Sequence, residues 1–557
     1  MPLPLLDYSR RLTGPNFFWD LPGSILDVII SEKDYQRFIP FWEQSTRSLL
    51  NEVGWENERT IHRKFTGGAS LVMSGPRDGL YAACELHEAA FEMALIAFEG
   101  RQLPHPEEYL PAIKSAIAEE KNNALLEMRD WASERKISFL MDDDRSSVGI
   151  GKGSVVFDND KIPSTSTFEE DKIFDVPRVL ITGTNGKSTT VRTLFSIIKE
   201  SGLTPGLTST DFIKVGDEIL DYGDYSGPEG ARTISRNTKV DFAILEVARG
   251  GILRRGLPVL SAGAAVVTNI AEDHFGEYGI NTLDEMTIAK LVVARTLDET
   301  GILVLNADDN MLVKHSKNLE CNILWTSLDP QNPLIQGKDR CTLEEGKIVH
   351  YWKGTRTEII EAATIPLTMG GLAKHNIHNA LSAVSLAMHF NINPETINKA
   401  LSTFGASPED NPGRSLFFEK SGRKILIDFA HNVAGFNALK DTILPMNADR
   451  RLLLFGQAGD RSNEEIKALT IAALGMQPTH IVLADMKKYL RGREMGEVPG
   501  IIKSTLMDNG FPEKEIQIVN GIPAGGEISL SWSKPGDLLI FLALTEREEL
   551  MEVVNRT

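Results

Sequence analysis

The stretch "RVLITGTNGKSTTVRTLFSII", residues 178–198, constrains the fold of this chain more than any other. Arg178–Thr182 is a short apolar run that predicts a buried strand, and apolar residues then recur with helix spacing, which places a helix start near Lys187. The free N–H groups and the positive dipole end of that helix would face the intervening turn and favour an anion. The order of strand, glycine turn, lysine, hydroxyl and helix therefore predicts a phosphate-binding loop rather than an ordinary tight turn.

Each residue type in this loop suits a nucleotide phosphate. Gly183 and Gly186 would let the backbone approach phosphate oxygens, Lys187 would supply a point charge, and the Ser188 hydroxyl would hold a magnesium ion. Only two residues separate the glycines, whereas the common phosphate-loop pattern has four. The nucleotide-contacting residues that the loop predicts are Gly183, Thr184, Asn185, Gly186, Lys187, Ser188 and Thr189.

Length, charge and cysteine content limit the class of protein. A chain of 557 residues predicts several domains. Its net charge of −18 argues against general nucleic-acid or anionic-membrane binding. The three cysteines lie far apart without metal-type spacing, which is typical of a reducing compartment, and neither a signal peptide nor a membrane span is evident. These features predict a cytoplasmic protein.

The chain divides by pattern into an amino-terminal part and two α/β series. Residues 1–150 predict a helix-rich α+β domain, with residues 81–98 and 107–134 as its clearest helices. Residues 151–177 predict a linker or a surface excursion, since glycine, serine, threonine and acidic residues are mixed there with weak periodicity. The nearby glycines at 149, 151 and 153 indicate a flexible turn and not a second nucleotide loop, because no clear strand precedes them and no helix follows.

After Pro177 apolar runs that end in polar residues alternate with helical patterns, which predicts mostly parallel sheets covered by helices. Residues 178–411 would form a central ATP-binding domain, and residues 412–557 a carboxyl-terminal Rossmann-like domain. In the second series Ser462 is predicted to cap an amphipathic helix. That series lacks the glycine fingerprint of nicotinamide binding, which argues against a dehydrogenase.

Further candidates lie at strand ends and helix starts. Glu246 ends an apolar strand, where its carboxylate would either meet a cation or pair with Arg249 or Arg254. Lys290 has apolar neighbours on a predicted helix, so its amine would either find a buried partner or reach the surface. A second strand end carries polar residues that would complete a metal site or simply form hydrogen bonds: Asn269, Glu272, Asp273 and His274. Asn376 and Asn379 begin an apolar helix, where they would bind a purine edge or cap the helix.

Seven ordered motifs between about residues 176 and 544 resemble the Mur ligase superfamily: "GTNGKST", "LEVARGGILRRGL", "TNIAEDHFGEYG", "VLNADD", "KHNIHNAL", "NPGR" and "DFAHN". Within it, "EVARGGILRRGL", "FGQAGDRSNEEI" and "YLRGREMGEV" are most similar to cyanophycin synthetases, as are two stretches of the amino-terminal domain. Two departures stand out. The ATP-grasp module that those enzymes carry before the Mur part is replaced here by the segment ending at Pro177, and Phe429 and Val433 stand where the family's "DYAHNP" signature has tyrosine and proline.

The resemblance implies a role for each matching position. Lys187 and the loop would hold the β and γ phosphates, Ser188 and Glu246 one magnesium ion, and His274 a second. Lys290 matches the lysine that carries a carbamate in many Mur ligases, where it supports the metal site. The remaining implied positions are Asn376 and Asn379 near adenine, Arg414 at the γ phosphate, Asp428 at the ribose, and His431 with Asn432 beside the substrates.

The implied reaction is ATP-dependent amide formation through an acyl phosphate, between an amino acid and an aspartate-like or peptide carboxylate. Without the ATP-grasp module the chain is not expected to make cyanophycin alone. A homo-oligomer fits the resemblance, and neither nucleic acid nor a membrane is expected as a partner. The alternative is a non-catalytic homologue that binds nucleotide or polymer and regulates a partner enzyme. A third possibility is amidation with ammonia from a separate glutaminase.

Overall fold

A computed structural model of the chain describes residues 3–556. This part of the chain forms two compact units. Unit one runs from the start of the described chain to Gly183 and also contains Ser201–Ile270 and Phe275–Leu324. Unit two contains Thr184–Glu200, Ala271–His274, and the chain from Trp325 onward. Within residues 3–556, none of the helices combines the length and the apolar character that a bilayer span requires.

The amino-terminal part of unit one is an antiparallel sheet with strand order β1-β2-β4-β3, packed against helices. Its core joins residues of β2 and β4 to Phe38, Trp42 and Phe91 of the first two helices. The elements are β1 (Leu5–Leu12), β2 (Gly23–Ile29), α1 (Glu32–Glu52), β3 (Thr60–Phe65), β4 (Gly68–Ser74), α2 (Leu80–Phe98), α3 (Leu110–Glu120), α4 (Asn123–Glu134), β5 (Phe139–Met141) and β6 (Arg145–Val148).

Two sequence predictions in this region need correction. The helix predicted over residues 107–134 is interrupted: α3 ends at Glu120, and the Asn122 side chain accepts a hydrogen bond from the Leu125 N–H to start α4. The predicted linker, residues 151–177, contains strand β7 (Val155–Asp158), which pairs with β6. Phe157 and Ile173 from this segment are buried against Leu125 and Met128 of α4, so part of the linker is folded structure. The domain boundaries otherwise stay predictions.

The α/β series after Pro177 provides a parallel sheet to unit one. The elements in chain order are β8 (Arg178–Thr182), α5 (Lys187–Glu200), β9 (Pro205–Thr208), β10 (Phe212–Val215), β11 (Glu218–Tyr222), α6 (Pro228–Ser235), β12 (Phe242–Glu246), α7 (Arg249–Arg255), β13 (Ala262–Val267), α8 (Leu283–Leu291), β14 (Leu297–Asn306) and α9 (Asn310–Ser316). The strand order is β11-β10-β9-β12-β8-β13-β14, and β9, β12, β8, β13 and β14 are parallel. The carboxyl ends of β12, β8 and β13 therefore lie side by side.

Most of the remaining chain belongs to unit two. Its elements are β15 (Asn322–Ser327), which begins in unit one, β16 (Arg340–Glu344), β17 (Lys347–Trp352), β18 (Thr355–Glu361), α10 (Lys374–His389), α11 (Pro394–Thr403), β19 (Leu416–Lys420), β20 (Arg423–Asp428), α12 (Val433–Ile443), β21 (Arg451–Phe455), α13 (Asn463–Leu474), β22 (His480–Asp485), α14 (Glu497–Asp508), β23 (Ile516–Asn520), α15 (Ile522–Trp532), β24 (Leu538–Leu542) and α16 (Arg547–Arg556).

The carboxyl-terminal sheet has the strand order β19-β20-β24-β21-β22-β23 and is parallel from β20 to β23. Alternate residues of its strands enter two cores: Leu426 packs with α12 to α14, whereas Ile425 and Ile427 pack with α15 and α16. Helices thus cover both faces. The predicted cap of α13 is present as a capping box between Ser462 and Glu465.

Candidate active site

The loop between β8 and α5 has the predicted sequence of elements, and its glycines have a steric reason. Gly183 has φ +146°, and a Cβ there would lie 1.8 Å from the Thr268 Oγ1. Gly186 has φ +84°, and a Cβ there would lie 2.3 Å from the Asn379 Oδ1. Only glycine fits either position without displacing a neighbour. The loop backbone therefore packs directly against Thr268 and Asn379 at its two glycines, and it immediately precedes the amino terminus of a helix, which is a favourable place for phosphate.

Within unit two, polar groups of the loop form hydrogen bonds that hold its conformation. The Lys187 Nζ donates to the Thr184 carbonyl at 3.0 Å. The Thr184 hydroxyl donates to the Ala271 carbonyl at 3.2 Å and accepts from the Ala271 N–H at 3.0 Å. Ser188 and Thr189 are buried at the start of α5. Lys187 itself is only half-buried, so its amine can turn toward a ligand without breaking the packing of the helix.

Asn185, at the crest of the loop, meets a residue far along the chain within unit two. Its side-chain amide donates to the Asn432 Oδ1 at 3.2 Å and accepts from the Asn432 Nδ2 at 3.1 Å. The same Oδ1 of Asn432 accepts from the Gly435 N–H at 2.9 Å and so caps α12. Asn432 therefore joins the start of a carboxyl-terminal helix to the phosphate loop.

Glu246 lies in unit one at the carboxyl end of β12, where it is 1% exposed. It pairs in register with Ile181 of β8, and its N–H donates to the Thr208 hydroxyl at 2.9 Å. Arg249, one of its two predicted ion-pair partners, opens α7 and forms an ion pair with Glu277. The strand thus delivers a carboxylate to the edge of the sheet beside the end of β8.

Lys290 is buried, which excludes the alternative that its amine reaches the surface. It is the penultimate residue of α8 and is 4% exposed. Its Nζ donates to the Gly183 carbonyl at 2.8 Å within unit one. A cation so far from water needs a polar partner, and here that partner is the first glycine of the phosphate loop.

Asp273 lies beside Arg461, His431 and His274 within unit two. Its Oδ1 accepts from the Arg461 Nη2 at 2.9 Å, and its Oδ2 lies 3.8 Å from the His431 Nε2. Burial would raise the pKa of the Asp273 carboxyl, but His431, His274 and Arg461 together hold that pKa well below its usual range. Asp273 is therefore a carboxylate at neutral pH, and it lies beside His431, a predicted site residue.

Arg461 is a site residue that the sequence motifs did not predict. Its Nη2 lies 3.0 Å from the His274 Nε2 and donates to it, in addition to the contact with Asp273. It follows β21 in the stretch "FGQAGDRSNEEI", whose resemblance to cyanophycin synthetases assigns no role to any single residue. The position of Arg461 in the loop between strand β21 and helix α13 was the available signal.

Asn376 and Asn379 lie inside α10, which begins at Lys374 after the N-cap residue Ala373, so neither is a cap. The Asn376 amide donates to the Leu367 carbonyl at 3.0 Å, and the Asn379 amide donates to the Asn376 Oδ1 at 3.1 Å. Both are buried. Through its Oδ1, Asn379 lies at the place where a side chain on Gly186 would project.

Arg414 and Asp428 lie near Phe429, the residue that replaces the family's tyrosine. The Arg414 guanidinium lies 4.6 Å from the centre of the Phe429 ring, and that of Arg547 lies 5.1 Å from it. The Asp428 Oδ2 accepts from the Ser415 N–H at 2.7 Å, and its Oδ1 from the Ala430 N–H at 2.8 Å. Phenylalanine keeps the aromatic face that a guanidinium packs against.

The residue types fit a nucleoside triphosphate and one magnesium ion. The glycines at 183 and 186 add no side chain to the loop, and Lys187 supplies charge. Ser188 in unit two carries a hydroxyl and Glu246 in unit one a carboxylate, and magnesium prefers oxygen ligands of these kinds. His274 fits a second ion less directly, because its Nε2 accepts from Arg461. Among residues 3–556 there is no group of three or more His, Cys, Asp or Glu side chains that could hold a metal ion by themselves.

Comparison with known proteins identifies the class. Residues 181–387 match the Mur ligase middle domain. The predicted resemblance to the Mur ligase superfamily is therefore confirmed over these residues. Its relatives include the cyanophycin synthetase of Synechocystis sp., 37% identical over 340 residues, which are 60% of this chain and 39% of that one. The cyanophycin synthetase of Trichormus variabilis is 36% identical over 332 residues, 59% of this chain and 37% of that one.

The chain spans about two fifths of the length of the curated relatives it matches. A solved structure of a bifunctional folylpolyglutamate synthase/dihydrofolate synthase, with Mn, AMPPNP and L-glutamate bound, aligns at a TM-score of 0.50 with 16% sequence identity. The alignment covers 68% of this chain and 89% of that chain. At this identity the likeness shows the fold alone, and it confirms the predicted multidomain α/β architecture.

Proposed function

We propose that this protein is an ATP-dependent carboxylate–amine ligase that releases ADP and phosphate. The observation that carries the proposal is the loop from Gly183 to Gly186, whose glycines admit no side chain and which precedes a helix that begins with Lys187. The match of the surrounding residues 181–387 to the Mur ligase middle domain supports it. A glycine-containing loop before a helix amino terminus suits phosphoryl groups.

In the proposed reaction a carboxylate oxygen of the first substrate attacks the γ phosphorus of ATP, and ADP leaves. The amine of the second substrate then attacks the carbonyl carbon of the acyl phosphate, loses a proton and expels inorganic phosphate. The protein contributes mainly position and charge. Lys187 would bind the β and γ phosphates, and Arg414 would pair with the γ phosphate.

Magnesium would neutralise phosphate charge during transfer. By their positions in the family's motifs, Ser188 and Glu246 would hold the first ion through their side-chain oxygen atoms. His274 would accept a second ion after Arg461 releases the Nε2. A carbamate on Lys290 stays a prediction; as an ammonium, Lys290 donates to the Gly183 carbonyl.

The remaining site residues would bind the nucleoside and the substrates. Asn376 and Asn379 would lie near adenine, and Asp428 would contact the ribose. His431, which lies 3.8 Å from Asp273 through its Nε2, would lie beside the reacting groups together with Asn432. Each of these assignments rests on the position of the residue in the family's motifs and on its contacts within unit two.

We infer the substrate classes from the relatives named cyanophycin synthetases. The acceptor would be an aspartate-like or peptide carboxylate, and the nucleophile an amino acid. The homo-oligomer and the cytoplasmic location stay predictions, as does the expectation that neither nucleic acid nor a membrane is a partner. The competing proposal, a regulatory homologue that binds nucleotide without turnover, would also use the phosphate loop.

The deciding experiment measures ADP and phosphate release with ATP and magnesium against paired amino acids and short aspartate-containing peptides. Release that requires one particular acid and amine together, and that Lys187→Ala abolishes, supports the ligase. Lys199→Ala, an exposed change at the other end of α5, is the matched control and should keep full activity. Tight ATP binding without release for any pair would favour the regulatory homologue.

A further inference from the structure

Arg63 of the amino-terminal sheet binds a turn in the Mur part of unit one. Its Nη1 donates to the Gly279 carbonyl at 2.9 Å and to the Glu285 Oε1 at 3.0 Å, and its Nη2 donates to the Tyr278 carbonyl at 2.9 Å. Three hydrogen bonds from one guanidinium to two successive carbonyls and a carboxylate form a directional contact that lysine cannot reproduce.

The turn at Tyr278 and Gly279 packs closely on the amino-terminal sheet. Tyr278 has φ +52° and Gly279 has φ +68°, both in the left-handed region. A Cβ on Gly279 would lie 2.4 Å from the Phe65 ring of β3, so the turn packs directly on the strand that carries Arg63. The Arg10 guanidinium from β1 lies 5.0 Å from the centre of the Tyr278 ring. Two strands of the amino-terminal sheet therefore hold the turn.

Glu285 links the turn to α8. It is the third residue of that helix and completes a capping box with Thr282. Its Oε2 accepts from the N–H groups of Asn281 and Thr282, at 2.8 and 3.1 Å, while its Oε1 accepts from Arg63. Arg63 thus binds the same carboxylate that sets the first turn of the helix, and a change at Arg63 acts on the start of α8.

The other end of α8 reaches the phosphate loop. Lys290, five residues after Glu285 on this short helix, donates through its Nζ to the Gly183 carbonyl at 2.8 Å. A helix of nine residues transmits a displacement of its start to its end because its backbone hydrogen bonds keep it rigid. All contacts in this series lie within unit one.

We propose that Arg63 is a positioning residue for the phosphate loop. It acts through the turn at Tyr278 and Gly279 and through Glu285, so that the amino-terminal domain sets the place of the Lys290 amine against Gly183. The physical basis is local: without Arg63, the Tyr278 and Gly279 carbonyls and the Glu285 Oε1 lose a donor, so the turn and the start of α8 lose a contact that holds them on the amino-terminal sheet. As a statement about nucleotide binding, the inference rests on the proposed function.

The test compares Arg63→Ala and Arg63→Lys with Lys64→Ala, each in the full chain. Lys64 is the next residue on β3 and pairs with Glu32 at the surface, so it is a matched control. The first readout is hydrogen exchange without nucleotide in peptides that cover residues 276–291 and residues 178–190. We expect Arg63→Ala to speed exchange in both peptides, Arg63→Lys to do so less, and Lys64→Ala to change neither. Faster exchange confined to residues 276–291, or none at all, would overturn the proposal.

The second readout is the dissociation constant of AMPPNP with magnesium, measured by calorimetry. Arg63→Ala should weaken binding by about 3- to 30-fold. Glu285→Gln should weaken it too, and the double variant should be no weaker than the worse single one, because both changes break one linkage. Additive losses would contradict the linkage. The wild-type protein could fail to bind nucleotide while Arg63→Ala still speeds hydrogen exchange in residues 178–190. That result would contradict the proposed function but support the coupling between Arg63 and the loop.

Discussion

Asn185 and Asn432 exchange two side-chain hydrogen bonds, at 3.2 and 3.1 Å, across 247 residues of chain. Asn185 belongs to the phosphate loop, and Asn432 caps the first helix after β20. The loop is thus bound directly to the carboxyl-terminal segment. A nucleotide that displaced Asn185 would therefore also displace Asn432 at the start of α12.

This pair predicts a coupling that a double-mutant cycle can measure. Asn432→Ala should cost about 1 kcal/mol through the lost cap and more through the lost pair, whereas Asn185→Ala should lose the pair alone. The measurement is the free energy of unfolding in urea for both single variants and the double variant. Purely additive effects would show that the two amides do not support each other.

Gly186→Ala should disable the loop without unfolding the protein. Its φ of +84° is unfavourable for alanine, and the new Cβ would lie 2.3 Å from the Asn379 Oδ1. Gly500→Ala is the matched control, because that glycine lies inside α14 and a Cβ there would project into open space, so alanine should stabilise by about 0.5 kcal/mol. The checks are AMPPNP affinity and thermal midpoint. Unchanged affinity in Gly186→Ala would argue against a role of this backbone in phosphate binding.

Lys290→Met should lower the activity without lowering the stability. Methionine keeps most of the apolar stem and removes a buried charge, so the thermal midpoint should hold or rise. Ligase turnover should fall about 100-fold, because a preorganised charge beside the loop is lost. Lys314→Met, which removes an exposed ion pair with Asp284, should leave turnover unchanged. Full turnover in Lys290→Met would remove this lysine from the mechanism.

His87 predicts a pH dependence of stability in the amino-terminal domain. The ring is fully buried, its Nε2 accepts from the Trp42 indole at 3.1 Å, and burial lowers the pKa of His87 to about 3. Since the unfolded value is about 6.5, the unfolded chain binds a proton that the folded chain refuses. The contribution of His87 to stability is therefore complete above pH 6.5 and is lost as the pH falls toward 3, by up to about 1.4 kcal/mol per pH unit.

The measurement is the thermal midpoint of wild type and His87→Gln between roughly pH 7.5 and pH 4.5, a range that begins above the unfolded pKa and stays above the folded one. Glutamine keeps polar atoms but does not titrate, so its deficit relative to wild type should shrink as the solution becomes more acidic. His105→Gln changes an exposed ring and is the control. A deficit that stays constant over this range would contradict the assignment.

Much of the architecture could be predicted from the sequence, because hydrophobic periodicity and the residues that begin and end helices indicate the same elements. The strand Arg178–Thr182, the helix start at Lys187 and the cap at Ser462 all follow from local patterns. The break at Asn122 carried its own signal, an asparagine before a helical pattern, but continuous apolar spacing on both sides hid it.

Long-range contacts were not accessible in the same way. Arg461 meets Asp273 across 188 residues, and Lys290 bonds to a backbone carbonyl, which no sequence letter distinguishes. Arg63 shares one face of β3 with Ile61 and Phe65, and that alternation does not indicate which groups the guanidinium contacts. Such contacts depend on how elements meet in space, and a single sequence does not contain that information.

The segment between β7 and β8 also bears on how chains of this kind exchange modules in evolution. Residues 160–172 are mostly exposed, while Ile150, Ile173 and Val176 on either side are buried. An insertion or deletion confined to the exposed stretch would leave both buried flanks in place, which is the condition under which a domain can be gained or lost without refolding its neighbours. Proteins with a long insertion at residues 160–172 and proteins with a short segment there could therefore share the same fold on both sides.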